Sequence, residues 1–443
     1  MVYCINYKRS NQTFSVETSL STLFFREETM KKLLVAVLCL MLTGCTSGPA
    51  GSSEETRSTE PSASEPSPAP SDGEVAPSQI SPQPDQSTEQ EPSVSQEPAE
   101  VPLGPQNQEQ IIQELLSAMT LEEKVGQMFF VRCPETGGAE LAAQYKVGGY
   151  LLFGRDFKDK TAQQVRDDIR SYQDASGIPL LIGTDEEGGT VVRASSNPDL
   201  FPQREPAPQT LFVQGGMDLI LQDARQKSMT LLDLGVNVNF APVADVSTDP
   251  ADFIYARSFG QDAQATADYV AQVAGVMGEE HIGSVLKHFP GYGNNVDTHT
   301  GIALDQRPYE TFQTSDFLPF QAGIQAGADA VLVSHNIVAS MDESLPASLS
   351  PTVHQILREA LDFDGVVLTD DLAMDAVMEY AQDGAAAVLA VQAGNDMVVT
   401  TDFQTQIPQV IRAVQSGVIA ESQIDQAVTR VLNWKYELGL LGN

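Results

Sequence analysis

Cysteine and positive charge are both scarce in this 443-residue chain. It has four cysteines, and 25 lysines and arginines stand against 60 aspartates and glutamates, giving a formal net charge of -35. This excess of negative charge would repel the phosphates of nucleic acid, so we expect no nucleic-acid partner. Hydrophobic residues still make up 42% of the chain, which is enough for a large packed core.

Long apolar runs are also few, and one of them lies near the N-terminus. Two lysines precede "LLVAVLCLML" (33–42), which leads into Thr43-Gly44-Cys45. A basic start, a short apolar run and small residues are typical of a signal peptide, and the run is too short to span a bilayer comfortably. Because Cys45 follows Gly44 directly, the segment resembles a bacterial lipoprotein signal; the alternative is an ordinary signal peptide with a chance cysteine. We predict that residues 1–45 are an N-terminal extension plus this signal, with the natural start at Met30.

Lipidation of Cys45 would place the protein outside the cytoplasm, anchored to the bacterial cell membrane. Only Cys133 would then remain in the mature chain, which excludes an intramolecular disulfide and a cysteine metal cluster. Residues 46–107 are rich in Ser, Pro, Glu and Gln and poor in aromatic and branched apolar residues. Such a composition cannot bury enough surface to offset chain entropy, so we predict a disordered linker that tethers a domain at 108–443.

The pattern of the remaining chain predicts an α/β fold. After a helical segment with Thr120 as N-cap and Glu123 three residues later, short apolar runs alternate with longer amphipathic stretches. Such runs are typical of parallel strands covered by helices on both faces, and eight of them are what a (β/α)8 TIM barrel needs. The eight predicted strands lie within residues 125–132, 147–154, 178–185, 236–246, 282–289, 328–335, 365–371 and 395–401.

Polar residues at the ends of these runs favour a closed barrel over an open doubly wound sheet. In a barrel all strand ends meet at one mouth, whereas in an open sheet only those at the switch point meet. Five runs end in polar residues, namely Asp185, Asp245, Lys287-His288, Ser334-His335 and Asp370-Asp371.

One of these segments and one loop suggest nucleophilic and acid–base chemistry. Asp370 and Asp371 follow a strand, and an N-cap role accounts for only one of them, so the first is a candidate nucleophile for a glycosyl transfer. In "KHFPGYGNNVDTHTG" (287–301), Asp297 and His299 stand two residues apart in a Gly-rich loop. A histidine oriented by a carboxylate can exchange protons near neutral pH. The spacing alone also fits an Asx-turn with an exposed His299.

Seven stretches together resemble glycoside hydrolase family 3, and within it the single-domain β-N-acetylhexosaminidases of the NagZ type. They occur in the order of that family across about residues 108–441. The matching stretches are "MTLEEKVGQM" (119–128), "GTDEEGG" (183–189) with Arg193, "NFAPVADV" (239–246), "ARSFG" (256–260), "KHFPGYG" (287–293), "DTH" (297–299) and "TDDLAM" (369–374).

The resemblance implies a role for each matching residue. Asp370 corresponds to the nucleophile, His299 to the acid/base, and Asp297 to the residue that orients it. The residues that correspond to the binding site of a terminal β-linked N-acetylglucosamine unit are Asp185, Arg193, Arg257, Lys287 and His288. For Lys287 alone, a buried salt bridge is the alternative, which its place beside His288 makes less favoured. The family implies no metal and no organic cofactor, and we expect a monomer.

The chain departs from the family pattern at Tyr292, where many relatives have a second histidine, and in a loop one residue shorter before Asp297. These differences affect the geometry of the loop more than the chemistry of the Asp-x-His pair. The resemblance therefore predicts a retaining exo-β-N-acetylglucosaminidase that acts on cell-wall fragments or chito-oligosaccharides through a covalent glycosyl-Asp370 intermediate. The alternatives are a β-N-acetylglucosaminide phosphorylase, a β-glucosidase-like hydrolase of the same family, and a non-catalytic sugar-binding lipoprotein.

Overall fold

A computed structural model describes residues 8–9, 12–13, 107–295, 303–374, 377, 380 and 385–442. The chain divides into two units, 1–95 and 96–443. In the first unit, Lys8–Arg9 pairs antiparallel with Gln12–Thr13. Cys45 and, apart from Asn107, the predicted linker lie outside the described residues. Everything below concerns the second unit.

Eight parallel strands form the centre of this unit. They pair side by side in the order β7-β6-β5-β4-β3-β2-β1-β8, and a parallel bridge between Leu368 and Met397 joins the two edges. Each strand lies inside one of the predicted runs, and the prediction of a (β/α)8 barrel is confirmed. The strands are β1 (Phe129–Arg132), β2 (Gly149–Leu152), β3 (Leu181–Thr184), β4 (Val238–Asn239), β5 (Gly283–Phe289), β6 (Ala330–Val333), β7 (Val366–Thr369) and β8 (Val398–Thr400).

Helices connect the strands. The helix before β1 begins at Leu121 because Thr120 and Glu123 form the predicted capping box, in which each side chain accepts from the other residue's backbone N–H. In chain order the helices are α1 (Gln108–Ala118), α2 (Leu121–Gln127), α3 (Gly138–Tyr145), α4 (Gly154–Phe157), α5 (Ala162–Ala175), α6 (Pro208–Leu234), α7 (Ala263–Glu279), α8 (Tyr309–Thr311), α9 (Phe317–Gln325), α10 (Pro351–Gln355), α11 (Ala386–Ala393), α12 (Phe403–Gln415) and α13 (Glu421–Glu437).

Two buried apolar layers follow from the alternation of side chains along the strands. One layer fills the barrel and contains Phe130, Phe240 and Leu332, while Trp434 of α13 packs against the same group. The other layer, which includes Phe129 and Val131, packs the outer face of the sheet against the helices. The filled interior leaves the C-terminal ends of the strands as the place where polar side chains converge.

Among the described residues, no helix has both the length and the apolar character that crossing a membrane requires.

Candidate active site

A cavity of about 280 Å³ opens at the C-terminal end of the barrel. Strands β3, β5 and β7 each bring side chains to it, within two residues of their C-terminal ends. Six residues predicted from the sequence line this cavity together: Asp185, Arg193, Arg257, Lys287, His288 and Asp370. The structure therefore places in one site residues that lie up to 185 positions apart in the chain (370 − 185 = 185).

A buried ion-pair network forms one wall of the cavity. Lys287 Nζ lies 2.8 Å from Asp185 Oδ1 and 2.6 Å from Glu187 Oε1. Arg257 donates to the same Glu187 through Nε at 3.0 Å and Nη2 at 2.7 Å. Lys287 thus has the buried salt bridges that were the alternative reading of its position, and it also lines the cavity.

The cations of this network keep its carboxylates charged. Burial alone would raise the pKa of Asp185, but Lys287 and Arg193 outweigh burial and hold that pKa below its ordinary value. Burial likewise opposes ionisation of Glu187, and Arg257 and Lys287 lower its pKa by more than burial raises it. The wall is therefore a set of fixed, alternating charges able to accept hydrogen bonds from sugar hydroxyls and donate to them.

Arg193 reaches the cavity from the loop after β3. Its Nη2 donates to Asp185 Oδ2 at 3.2 Å. The loop itself is held by Glu186, which is fully buried and accepts from the backbone N–H groups of Arg193 and Ala194 at 2.9 and 2.7 Å, and from Ser195 Oγ at 2.5 Å. Of the two adjacent glutamates, one therefore shapes the loop and the other joins the ion pairs.

His288 is oriented from both sides of its ring. Its Nδ1 lies 2.7 Å from Asp245 Oδ2, and its Nε2 lies 2.9 Å from Arg257 Nη2. Because a guanidinium can only donate, Nε2 accepts, and the ring proton resides on Nδ1, which donates to Asp245. Asp245 also accepts from the backbone N–H groups of His288 at 3.1 Å and Tyr292 at 2.7 Å.

Tyr292 is buried against the same residues. Its ring centroid lies 5.2 Å from that of His288 in an edge-to-face arrangement, and its other aromatic neighbour is Phe253. The aromatic residue that stands where many relatives have a histidine is therefore packed beside a predicted sugar-binding residue. Asp297 and His299, on the loop that follows, lie outside the described residues.

Asp370 and Asp371 stand on the opposite side of the mouth, directly after β7. Asp371 forms the turn, since its Oδ1 accepts from the backbone N–H of Ala373 at 3.0 Å. Burial raises the pKa of Asp371 above its ordinary value. Asp370 Oδ1 accepts from the backbone N–H of Asp371 at 2.8 Å, and Asp370 lines the cavity. Of the two aspartates, the second therefore forms the turn after β7 and the first accepts from the backbone of the second.

Several residues of the site were not assigned a role from the sequence. Glu187 and Asp245 act through Arg257, Lys287 and His288 rather than by lining the cavity. Arg132 does line it, as the last residue of β1. A charged residue that ends an apolar run is the same signal that identified Asp185, so Arg132 was detectable.

Among the described residues, no group of three or more His, Cys, Asp or Glu side chains is arranged to hold a metal ion.

Comparison with known proteins agrees with this architecture. The profile of the glycosyl hydrolase family 3 N-terminal domain matches residues 120–434. A β-hexosaminidase of Stenotrophomonas maltophilia is 33% identical over 316 residues, which cover 69% of this chain and 89% of that protein. The β-hexosaminidase LpqI of Mycobacterium tuberculosis is 31% identical over 328 residues, covering 71% of this chain and 82% of the relative.

Solved structures show the same likeness. A family 3 β-N-acetylglucosaminidase from Paenibacillus sp. superposes with a TM-score of 0.68 at 30% identity, over 73% of this chain; the present chain spans 63% of that protein. A β-N-acetylhexosaminidase from Beutenbergia cavernae superposes with a TM-score of 0.63 at 28% identity, covering 71% of this chain and 98% of that structure. The chain belongs to glycosyl hydrolase family 3, which confirms the prediction of an enzyme that hydrolyses glycosidic bonds.

Proposed function

We propose that the protein is a retaining exo-β-N-acetylglucosaminidase that acts on cell-wall fragments or chito-oligosaccharides. The observation that supports this most directly is the convergence of Asp185, Arg193, Lys287 and His288 with Asp370 around one small cavity. A cavity of about 280 Å³ is of a size that suits one terminal sugar better than the middle of a chain. The hexosaminidase relatives support the choice of N-acetylglucosamine as that sugar.

We propose a two-step reaction in which these residues act together with Asp297 and His299. The ion-pair wall around Asp185 and Lys287 binds the hydroxyl groups of the terminal sugar and holds its anomeric carbon near Asp370. Asp370 attacks that carbon and forms a glycosyl ester, while the bond to the leaving oxygen breaks. His299, oriented by Asp297, donates a proton to the leaving oxygen. His299 then takes a proton from water, which attacks the ester and releases the sugar with its β configuration retained.

A chromogenic substrate tests the role of Asp370. With 4-nitrophenyl N-acetyl-β-glucosaminide, we expect Asp370→Ala to lose activity by a factor of about 10⁴ or more. Added azide should restore turnover in this variant and yield the α-glycosyl azide, because azide enters from the face that the carboxylate occupied. Asp371→Asn is the matched comparison, and it should retain more activity than Asp370→Ala because it alters the turn and not the nucleophile. Near-normal activity in Asp370→Ala, or a β-azide product, would contradict the assignment.

The leaving group tests the role of His299. We expect His299→Ala to be most impaired on substrates with poor leaving groups, because these need protonation. An equal loss on good and poor leaving groups would contradict an acid role.

A product assay separates hydrolysis from phosphorolysis. Purified muropeptides and chito-oligosaccharides are incubated with and without phosphate, and the released sugar is identified. Free N-acetylglucosamine indicates a hydrolase, whereas a sugar phosphate would identify a phosphorylase.

We further propose that Cys45 carries lipid and anchors the protein, as a monomer, to the outer face of a bacterial membrane. The support is the signal-like segment before Cys45 and the linker composition of residues 46–107. In cells expressing the protein from Met30, membrane fractions should contain the wild type, and Cys45→Ala should not incorporate labelled fatty acid. Equal labelling of the wild type and Cys45→Ala would contradict lipidation at Cys45. The monomeric state is tested separately: a detergent-free 108–443 fragment that sediments as a dimer would contradict it.

A further inference from the structure

Arg132 is a cation of the cavity that the proposed reaction does not use. It is the last residue of β1, and it lines the cavity together with Asp370 and Asp371. Its Cζ lies 4.2 Å from the centroid of the Phe153 ring, which places the guanidinium against an aromatic face. The main chain at Phe153 is held by its N–H, which donates to Asp156 Oδ2 at 2.7 Å. Stacking on this ring therefore positions the guanidinium in the absence of a ligand.

The pairing of charges sets Arg132 apart from the other cations of the cavity. Arg193, Arg257 and Lys287 each contact a carboxylate of the network, at distances between 2.6 and 3.2 Å. In the part of the chain that the structure describes, Arg132 forms no ion pair, and its Nε is buried without a hydrogen-bond acceptor. In a chain with 60 acidic and 25 basic residues, a cavity cation that no described carboxylate approaches to ion-pair distance is unusual.

The geometry around Arg132 suits a planar oxyanion. Arg193 approaches the other side of the same region, with its Cζ 5.1 Å from the Phe153 ring. Asp371 is the carboxyl on which the charge of Arg132 acts, opposing the rise in its pKa that burial causes, so a ligand oxyanion would compete with Asp371 for Arg132. A planar guanidinium to which no described residue offers a hydrogen-bond acceptor is matched in geometry by a carboxylate or a phosphate, to which it can donate two parallel hydrogen bonds.

We propose that Arg132 is an oxyanion-binding residue of the active-site cavity, and that it favours ligands in which a carboxylate or phosphate accompanies the sugar. The oxyanion that Arg132 binds could belong to either of two molecules: a charged substituent on the substrate, or free phosphate that enters beside it. The substrate source rests on the proposed glycosidase function, whereas binding of free phosphate does not. Arg132 acts here as a specificity-determining residue, and the nucleophile and the acid/base remain those proposed above.

Phosphate binding is the first test, and it requires no turnover. Inorganic phosphate is titrated into the wild type, Arg132→Gln and Arg132→Lys at constant ionic strength, with thermal unfolding as the readout. We expect the apparent dissociation constant to rise about tenfold or more in Arg132→Gln, and by less in Arg132→Lys, which keeps the charge but not the fork of donors. Arg166→Gln is the charge-matched control, because Arg166 pairs with Asp233 on the surface, and it should bind phosphate as the wild type does.

Substrate preference is the second test. The two substrates are the 4-nitrophenyl and the 3-carboxy-4-nitrophenyl N-acetyl-β-glucosaminides, which differ by one carboxylate. The ratio of kcat/KM for the acidic substrate to that for the neutral one should fall about tenfold in Arg132→Gln and recover in part in Arg132→Lys. Because the two kcat/KM values are compared within the same variant, a general loss of activity or stability affects both and cancels in their ratio.

The two tests together identify which molecule carries the oxyanion that Arg132 binds. Weakened phosphate binding together with a changed substrate ratio supports a charged group on the substrate. Weakened phosphate binding with an unchanged ratio assigns Arg132 to a free oxyanion. If the wild type turns over neither glycoside while phosphate binding still depends on Arg132, the proposed function fails and the oxyanion site stands. Phosphate binding and a substrate ratio that are both unchanged in Arg132→Gln overturn the proposal.

Discussion

Arg257 and Glu187 form a two-point ion pair behind the cavity, with Nε to Oε2 at 3.0 Å and Nη2 to Oε1 at 2.7 Å. Glu187 also lies 2.6 Å from Lys287 Nζ, so one carboxylate holds two cations that line the cavity. Only 2% of the Glu187 side chain is exposed. Its contribution to the site is therefore to fix the positions of Arg257 and Lys287 and to offset their charge.

Removing the charge of Glu187 should weaken both the fold and the activity. Glu187→Gln leaves Arg257 and Lys287 as buried cations with one carboxylate fewer, so we expect a loss of about 3 kcal/mol in the free energy of unfolding. The misplaced cations should lower kcat/KM by about 100-fold. Denaturant unfolding and steady-state kinetics measure the two effects. Asp233→Asn, at the exposed pair with Arg166, is the control and should change neither; wild-type stability and activity in Glu187→Gln would contradict this account.

Asp245 should matter for activity through His288. Asp245→Asn replaces one acceptor of the buried carboxylate with an amide donor, which conflicts with the donors at His288 Nδ1 and the Tyr292 backbone N–H. We expect the ring of His288 to rotate or change tautomer and kcat/KM to fall by about 100-fold. A comparison with Asp252→Asn, whose carboxylate accepts from Ser247 Oγ in the same loop, separates this effect from loop damage. Equal losses in the two variants would mean that Asp245 has only a structural role.

Lys435 should make stability depend on pH in an alkaline window. This residue of α13 is fully buried with its Nζ 2.6 Å from Gln127 Oε1, and burial lowers its pKa to about 7. In the unfolded chain the pKa is near its ordinary value of 10.5. Between these two pH values the unfolded chain binds a proton that the folded protein does not, so stability rises as pH rises through the window.

The variant Lys435→Met isolates this effect. As pH is raised from about 7 to about 10, the wild type should gain stability relative to Lys435→Met, because only the wild type carries the buried amine. The loss of the hydrogen bond to Gln127 adds a term that does not vary with pH, so the slope and not the absolute difference is the readout. A difference that stays constant across this range would contradict a neutral Lys435.

Gly183 should be required inside the barrel. It lies on β3, two residues before Asp185, and a Cβ at this position would stand 2.7 Å from Phe240 Cε2 and 2.8 Å from Phe130 Cζ. Because both rings are buried in the barrel interior, Gly183→Ala should reduce the free energy of unfolding by about 1–3 kcal/mol and raise KM through Asp185. Gly177→Ala, where a Cβ meets no atom within 4 Å, is the control. Equal stability of the two variants would show that the rings adjust freely.

Much of the fold was predictable because it depends on local patterns. The alternation of apolar runs with amphipathic stretches identified all eight strands, and the Thr120–Glu123 pair marked the start of α2. The polar strand ends also indicated which end of the barrel carries the site, because parallel strands bring these ends together. Arg132 obeys the same rule, as a charged residue at the end of β1.

The partners within the site were not predictable in this way. In "DEEGG", the two adjacent glutamates have identical side chains, yet Glu186 holds the loop at Arg193 while Glu187 pairs with Arg257. The direction of each side chain depends on the turn that follows β3. Asp245 was recognised as a polar strand end, but its bond to His288 depends on two strands lying side by side.

The sequence by itself determined the class of fold, the family and the set of charged residues at the strand ends, because these follow from periodicity and from short motifs. Only the tertiary structure decided which charge meets which. Lys287 and Asp185 are 102 residues apart, and Arg257 and Glu187 are 70 apart. Such pairs form when the sheet closes into a barrel, and burial then strengthens each pairing, which fixes the position of the groups that line the cavity.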